Sequence, residues 1–274
     1  MKLEPFRIVS AALFAVGVWS LSPATGRAQT LQEELLEQQG LTGEPTLGKW
    51  SITLGAGVAE VPDYPGGDRY RVRPVPLVSI EYDKLVFLGP YGLGLNAIQW
   101  NGLRAGPILG FEGGRRQDDD PHLNGLGDIS PSLTGGVFAT YRFSSFQVSG
   151  TVRQAITHTE NGLTGLLQFD YRGRIADRFE LIAGPDVEFA DGAYDRTWFG
   201  VSPGQSAQSG LPVFSPGGGV KDAGLHAILT YYYTQHVLLR GFAGVKELTG
   251  DIAGSPIVQS KTQGLVGLGA AYHF

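Results

Sequence analysis

Few residues of this chain could do acid–base, nucleophilic or metal chemistry. It has five histidines, His122, His158, His226, His236 and His273, and no cysteine. Without cysteine there is no thiol nucleophile, no thiolate metal site and no disulfide framework. Hydrolysis of a lipid ester would need a serine, a histidine and an acid or amide close together near one membrane face. His158 and Glu160 lie two residues apart, but serines are plentiful only in other loops, and no pairing stands out. The most charged run is Arg115-Arg116-Gln117-Asp118-Asp119-Asp120-Pro121-His122. Its acidic trio could bind a divalent cation, and its arginines could meet lipopolysaccharide phosphates. A solvated loop with no ligand is the simpler reading and is preferred. Ser202 to Gly219 is rich in Ser, Gly, Pro and Gln and reads as a surface loop. Gly217-Gly218-Gly219 lacks the spacing of a phosphate-binding turn before a helix. No catalytic, cofactor-binding or metal-ligating residue is therefore assigned.

The remaining charges follow a pattern that only strands would position. Glu81, Arg104, Glu112, Arg142, Arg153, Asp170, Arg172, Arg174, Glu180, Asp186, Glu188 and Arg240 alternate with apolar neighbours, as do His226, Thr230 and Tyr232. A period of two sends one set to each face of a sheet. Trp50, Ile52, Leu54, Ala56 and Val58 share a face, opposite Ser51, Thr53, Gly55 and Gly57. Further strands read as Val78–Tyr82, Leu85–Leu88, Tyr91–Ile98, Leu103–Glu112, Leu133–Phe143 and Phe146–Thr157. Thr164–Ile175, Phe179–Phe189, Ala223–Tyr233, Val237–Val245 and Gln263–Phe274 complete the set.

These make about twelve strands, an even number as single-chain bacterial barrels require, with ten as the alternative. Tight turns fall at Asp83-Lys84, Asn101-Gly102, Ser144-Ser145, Ala176-Asp177 and Thr234-Gln235. Long loops fall at Val61–Arg71, Gly113–Ser130, Asp191–Asp222 and Lys246–Thr262. Every tight turn lands on one side and every long loop on the other, the asymmetry of an outer-membrane barrel. Tyr82, Trp100, Tyr141, Phe143, Phe146, Tyr231, Tyr233, Tyr272 and Phe274 cluster on the turn side, where amphipathic rings favour a membrane interface. The expected fold is an all-β, transmembrane, antiparallel up-and-down barrel over residues 50–274, monomeric and surrounded by outer-membrane lipids and lipopolysaccharide. A mean hydropathy of −0.03 is no objection, because lipid-facing and lumen-facing residues average out. Charges of both signs on the inward face read as a packed, ion-paired interior, because an unpaired buried charge is costly. A narrow solute pore is the alternative. The net charge of −5 argues against nucleic acid as a partner.

Both ends agree. Lys2 and Arg7 precede an apolar run from Ile8 to Leu21 and the small-residue site Gly26-Arg27-Ala28, the layout of a signal peptide over 1–28. Residues 29–49 read as a periplasmic N-terminal segment in which Leu31–Gln39 could form a short helix on a partner. Val266, Leu268, Ala270, Tyr272 and Phe274 give the last strand an apolar stripe ending in an aromatic residue, a feature the barrel-assembly machinery could read.

Several stretches resemble one family. They are Pro62-Asp63-Tyr64-Pro65-Gly66-Gly67, Arg73-Pro74-Val75-Pro76, Gly114-Arg115, Leu123-Asn124-Gly125-Leu126-Gly127-Asp128-Ile129, Trp198-Phe199-Gly200-Val201-Ser202, Ser209-Gly210-Leu211 and Leu248-Thr249-Gly250-Asp251-Ile252-Ala253-Gly254-Ser255-Pro256-Ile257-Val258. From about Trp50 to Phe274 the chain resembles the MltA-interacting protein (MipA/OmpV) family. The resemblance implies an outer-membrane protein without known catalytic residues or cofactor. It also implies a scaffold that holds a lytic transglycosylase and a peptidoglycan synthase together; other members are described as porin-like or adhesive. These motifs fall mostly in the expected outer loops, whereas a murein complex would meet the periplasmic turns.

Overall fold

The computed structural model describes residues 48–90 and 92–274. The expected signal peptide and nearly all of the 29–49 segment lie outside the described residues. From Trp50 onward the period-two pattern becomes β1 (Trp50–Pro62), β2 (Tyr70–Tyr82), β3 (Val86–Gly89), β4 (Gly92–Leu95), β5 (Ile98–Trp100) and β6 (Leu103–Glu112). There follow β7 (Ser132–Phe143), β8 (Phe146–Ala155), β9 (Leu163–Ala176), β10 (Phe179–Ala190), β11 (Gly219–Tyr232), β12 (Val237–Leu248) and β13 (Thr262–His273). Strands pair antiparallel with their sequence neighbours, except that β4 and β5 both pair with β6, and β13 pairs with β1 from Thr53↔His273 to Glu60↔Val266. The sheet is therefore closed. The outward face is apolar: Val58, Val72, Leu109, Val137, Leu225, Val266 and Leu268 are exposed. Among the described residues no helix is long and apolar enough to cross a membrane; the strands provide the crossing face.

The thirteen segments form a barrel of twelve strands, because β4 and β5 are one strand interrupted. Leu93 and Gly94 pair with Leu109 and Ile108, whereas Ile98 to Trp100 pair with Ala105 to Leu103. Asn96 and Ala97 thus oppose one residue, Gly106, as a bulge. Beside it stands Pro107, which has no N–H to give the ladder. Asn96 anchors the bulge by donating Nδ2 to the Lys84 carbonyl at 2.8 Å. The short β3 is a strand of its own, as the alternation of Leu85–Leu88 predicts.

β2 has a related feature. Its pairing with β3 covers Ile80 to Tyr82 alone, so the edge from Tyr70 to Ser79 has no strand partner among the described residues. The Asp83 N–H donates to the Lys49 carbonyl and the Asp63 N–H to the Arg69 carbonyl. In register, the odd residues of β2 bond to β1 and the even ones point to the free edge. Pro74 and Pro76 are even. They occupy positions where a missing N–H removes no ladder bond.

The tight turns match expectation. Asp83 and Lys84 (φ 52° and 56°) and Asn101 and Gly102 (φ 44° and 87°) are left-handed at both central positions, the primed geometry that suits strand twist. An aromatic band runs round this end, including Trp50–Tyr82 at 4.6 Å, Phe146–Phe169 at 5.6 Å, Phe179–Tyr231 at 4.9 Å and Tyr272–Phe274 at 4.8 Å between ring centroids. The opposite end carries the long connections. The 191–218 segment is not an extended surface loop. It holds α1 (Gly192–Phe199) and α2 (Pro203–Ser209), whose caps are local. Asp191 accepts from the Tyr194 N–H, and Ser202 with Gln205 forms a capping box before Pro203.

Candidate functional site

The long loops converge on one another over the barrel mouth. Tyr64, Leu123, Leu126, Val201 and Ile257 form one buried cluster; Tyr194, Trp198, Phe199, Leu248 and Ile252 form a second. Polar contacts join loops that are far apart in sequence. Tyr64 Oη lies 3.0 Å from the Ile257 carbonyl and 2.7 Å from Gln259 Oε1. Arg115 Nη1 donates to the Trp198 carbonyl at 2.9 Å, Ser255 Oγ to the Phe199 carbonyl at 2.6 Å, and Gln205 Nε2 to the Leu126 carbonyl at 2.6 Å. Gly125 (φ +83°) needs its missing Cβ, which would sit 2.7 Å from the Gln208 carbonyl carbon at the end of α2. The sequence stretches that carry the family resemblance are largely these plug residues. Burial pushes the Tyr64 phenol well up and lowers Arg115 to about 10.

The charged run of this plug is consumed by loop structure. Asp118 pairs with Arg116 at 2.6 Å. Asp119 accepts from the Arg116 N–H at 3.1 Å and faces Arg71 at 3.4 Å. Asp120 accepts from the His122 N–H at 2.7 Å. His122 Nε2 meets the Pro256 carbonyl at 2.9 Å. Asp118 and Asp119 thus both turn to Arg116, Asp119 also to Arg71, and Asp120 to the turn it caps. His158 Nδ1 lies 3.3 Å from Glu160 Oε1, both exposed, and among the described residues no hydroxyl hydrogen-bonds to it. His236 Nδ1 meets the His273 carbonyl, and His273 Nδ1 meets Thr53 Oγ1, each at 2.9 Å.

Below the plug the lumen is filled in two ways. One is an apolar cluster in which Val75, Leu77, Ile182, Ile228, Leu238, Phe242 and Leu265, drawn from β2 and β10 to β13, are buried together. The alternation suggests an inward face set by its charges, and the cluster departs from that by placing apolar side chains inward on some of the same strands. The other is a buried charge network on β9 to β12. Lys221 is ion-paired with Glu188 and lies 3.6 Å from Asp222; Lys246 lies 3.4 Å from Asp222 and 3.5 Å from Glu188. His226 bridges Asp170 through Nε2 and Asp186 through Nδ1, each at 2.8 Å. Both ring nitrogens of His226 are thus taken up by carboxylate oxygens from β9 and β10.

Asp170, Asp186, Glu188 and His226 are where alternation puts them. Lys221, Asp222 and Lys246 were assigned to loops. Lys246 keeps the parity of Arg240 and could have been found by extending β12. Lys221 could not, because the register shifts between Glu188 and Phe189. That bulge turns two consecutive residues, Lys221 and Asp222, inward. Toward the turn end, Arg240 Nε donates to Thr230 Oγ1 at 3.2 Å, and Tyr232 Oη donates to Glu180 Oε2 at 2.6 Å. Arg172 Nε lies 4.0 Å from Glu180, and Arg104 lies 3.8 Å from Glu81. Arg174 is exposed and Arg153 half-buried.

Known proteins resemble this chain in sequence and, more weakly, in structure. The MltA-interacting protein of Escherichia coli K12 is 24% identical over 241 residues, covering 83% of this chain and 91% of that protein. The putative outer membrane protein YiaT of Escherichia coli O157:H7 is 24% identical over 228 residues, covering 81% and 91%. Among solved structures, an outer membrane channel from Pseudomonas putida F1 aligns with a TM-score of 0.42 at 14% identity, over 82% of this chain and 96% of that one. OmpT of Vibrio cholerae aligns with a TM-score of 0.40 at 8% identity, over 82% and 97%. The protein is an outer-membrane barrel. The description "MltA-interacting protein MipA" matches residues 54–274, and the chain belongs to that family.

Proposed function

We infer that this barrel works by binding at the cell envelope, neither conducting solutes nor catalysing a reaction. The observation that carries this reading is the closed column inside it. A hydrogen-bonded plug covers the outer mouth, and an apolar cluster and a paired charge network lie beneath it. A buried network of this kind holds its charges against one another and leaves none in a single-sign ring to select ions. The surface left for a periplasmic partner is the turn-end rim together with the 29–49 segment. A lytic transglycosylase, with a peptidoglycan synthase beside it, is the proposed partner, because relatives are named for interaction with MltA. The motifs in the outer loops are assigned to holding the plug, which removes their conflict with a periplasmic partner.

Two measurements test this. Purified protein in planar bilayers is expected to give no stable conductance steps. Steady ion-conducting steps, reduced by Arg153→Gln or Asp170→Asn, would replace the scaffold with a narrow channel. Pull-down of murein enzymes is expected to weaken when residues 29–47 are deleted; an undiminished yield would move the docking surface to the turns.

A further inference from the structure

We propose that the turn end of the lumen is a binding site for a small organic anion that carries one apolar ring. A cavity of about 270 Å³ opens there among the ends of β2 to β9. Its lining is of two kinds. Phe87 and Phe138 meet edge to face, with centroids 5.3 Å apart, beside the buried Ile108. Arg104, Arg142 and Arg172 line the same cavity. Among the described lining residues Glu81 is the one carboxylate, and it lies 3.8 Å from Arg104. Glu180 approaches Arg172 from outside the cavity at 4.0 Å, and Arg142 spends Nη2 on the Gln147 amide oxygen at 3.1 Å. Positive charge is in excess.

A second, independent observation points the same way. Gln168 is 3% exposed and lines the deep end of this cavity. Its Nε2 has no hydrogen-bond partner among the described residues. A buried donor without an acceptor is costly. An anion seated between the arginines would give it one. Guanidinium forks match a planar carboxylate in two parallel hydrogen bonds, and the Phe87–Phe138 corner offers a ring an edge-to-face neighbour. The volume is below that of drug-sized sites and suits on the order of ten non-hydrogen atoms. Arg142 is exposed at the rim, so by the barrel's orientation the ligand enters from the periplasm. This site is independent of the scaffold reading, since the plug stays shut whether or not it is filled.

The test uses the full-length mature protein in lipid nanodiscs, titrated calorimetrically with 3-phenylpropionate and with its uncharged amide, empty nanodiscs being subtracted. The acid is expected to bind at least tenfold more tightly than the amide, with affinity falling as salt is raised. Gln168→Leu and Arg142→Gln are each expected to weaken the acid at least fivefold and leave the amide unchanged. Folding of each variant is checked by its compact, heat-modifiable migration on a gel. Equal binding of acid and amide, or no heat from the acid at millimolar concentration, would overturn the proposal. The acid–amide comparison needs no variant, so it stands even where a substitution prevents folding.

Discussion

Asp195 is the residue whose chemistry most directly reports on the plug. It sits in α1, 3% exposed, with Oδ1 lacking a partner among the described residues. Burial pushes its carboxyl up from 3.8 to about 7. The folded protein therefore keeps a proton that the unfolded chain releases near pH 4, and stability falls as pH rises through about pH 7. Asp195→Asn removes that dependence. Hydrogen exchange of residues 192–199, corrected for intrinsic rate, should show weaker protection at pH 8 than at pH 5 in the wild type and equal protection in the variant. A wild type equally protected at both would contradict the assignment. Arg115 is the second such residue. Arg115→Met should leave the Trp198 carbonyl without its donor and cost the plug about 2 kcal/mol. Exchange in the outer loops should rise while strand amides stay protected; unchanged loops would show that the apolar clusters alone suffice.

Among the elements, β2 joins sequence to architecture most closely. Arg73-Pro74-Val75-Pro76 reads as a poor strand until the register is known. Both prolines face the free edge, whereas Val75 is directed at Gly57 of β1. Pro76→Ala should therefore assemble normally. Val75→Pro should remove a ladder bond and a buried side chain together, leaving little heat-modifiable barrel on a gel. Equal assembly of the two variants would mean that the register has been misassigned. The bulges carry the same lesson. At Asn96-Ala97 a bulge splits one strand beside Pro107, and at Lys221-Asp222 a bulge turns two charges inward. Alternation describes a strand only while the register holds.

For the whole molecule, closure depends on β1 and β13, whose ladder begins at Thr53 and His273. Deleting residues 29–47 should thus leave assembly and thermal unfolding of the barrel unchanged while affecting partner capture. Loss of folded barrel in that variant would make the segment part of the fold. The ion network beneath the plug should behave as a unit. Lys221→Met leaves the Glu188 carboxylate poorly compensated and should destabilise the barrel by about 3 kcal/mol. Lys221→Met combined with Glu188→Gln should recover part of that loss in urea unfolding.

By itself the sequence determined the barrel, the sidedness of turns and loops, and the inward placement of Asp170, Asp186, Glu188 and His226, while between its two strand counts, twelve and ten, the structure decided for twelve. Period-two alternation and left-handed turns are local, and a chain written that way has few other ways to satisfy its backbone in lipid. The tertiary structure alone decided that an apolar cluster fills part of the lumen, that Lys221 and Asp222 share one side of β11, and that the outer motifs close over the mouth. It also decided that Gln168 and Arg142, which sequence order puts on different strands, face one cavity. Those facts depend on register shifts and on contacts between residues such as Tyr64 and Ile257, 193 positions apart. No local pattern carries them, because they exist only once the sheet has closed on itself.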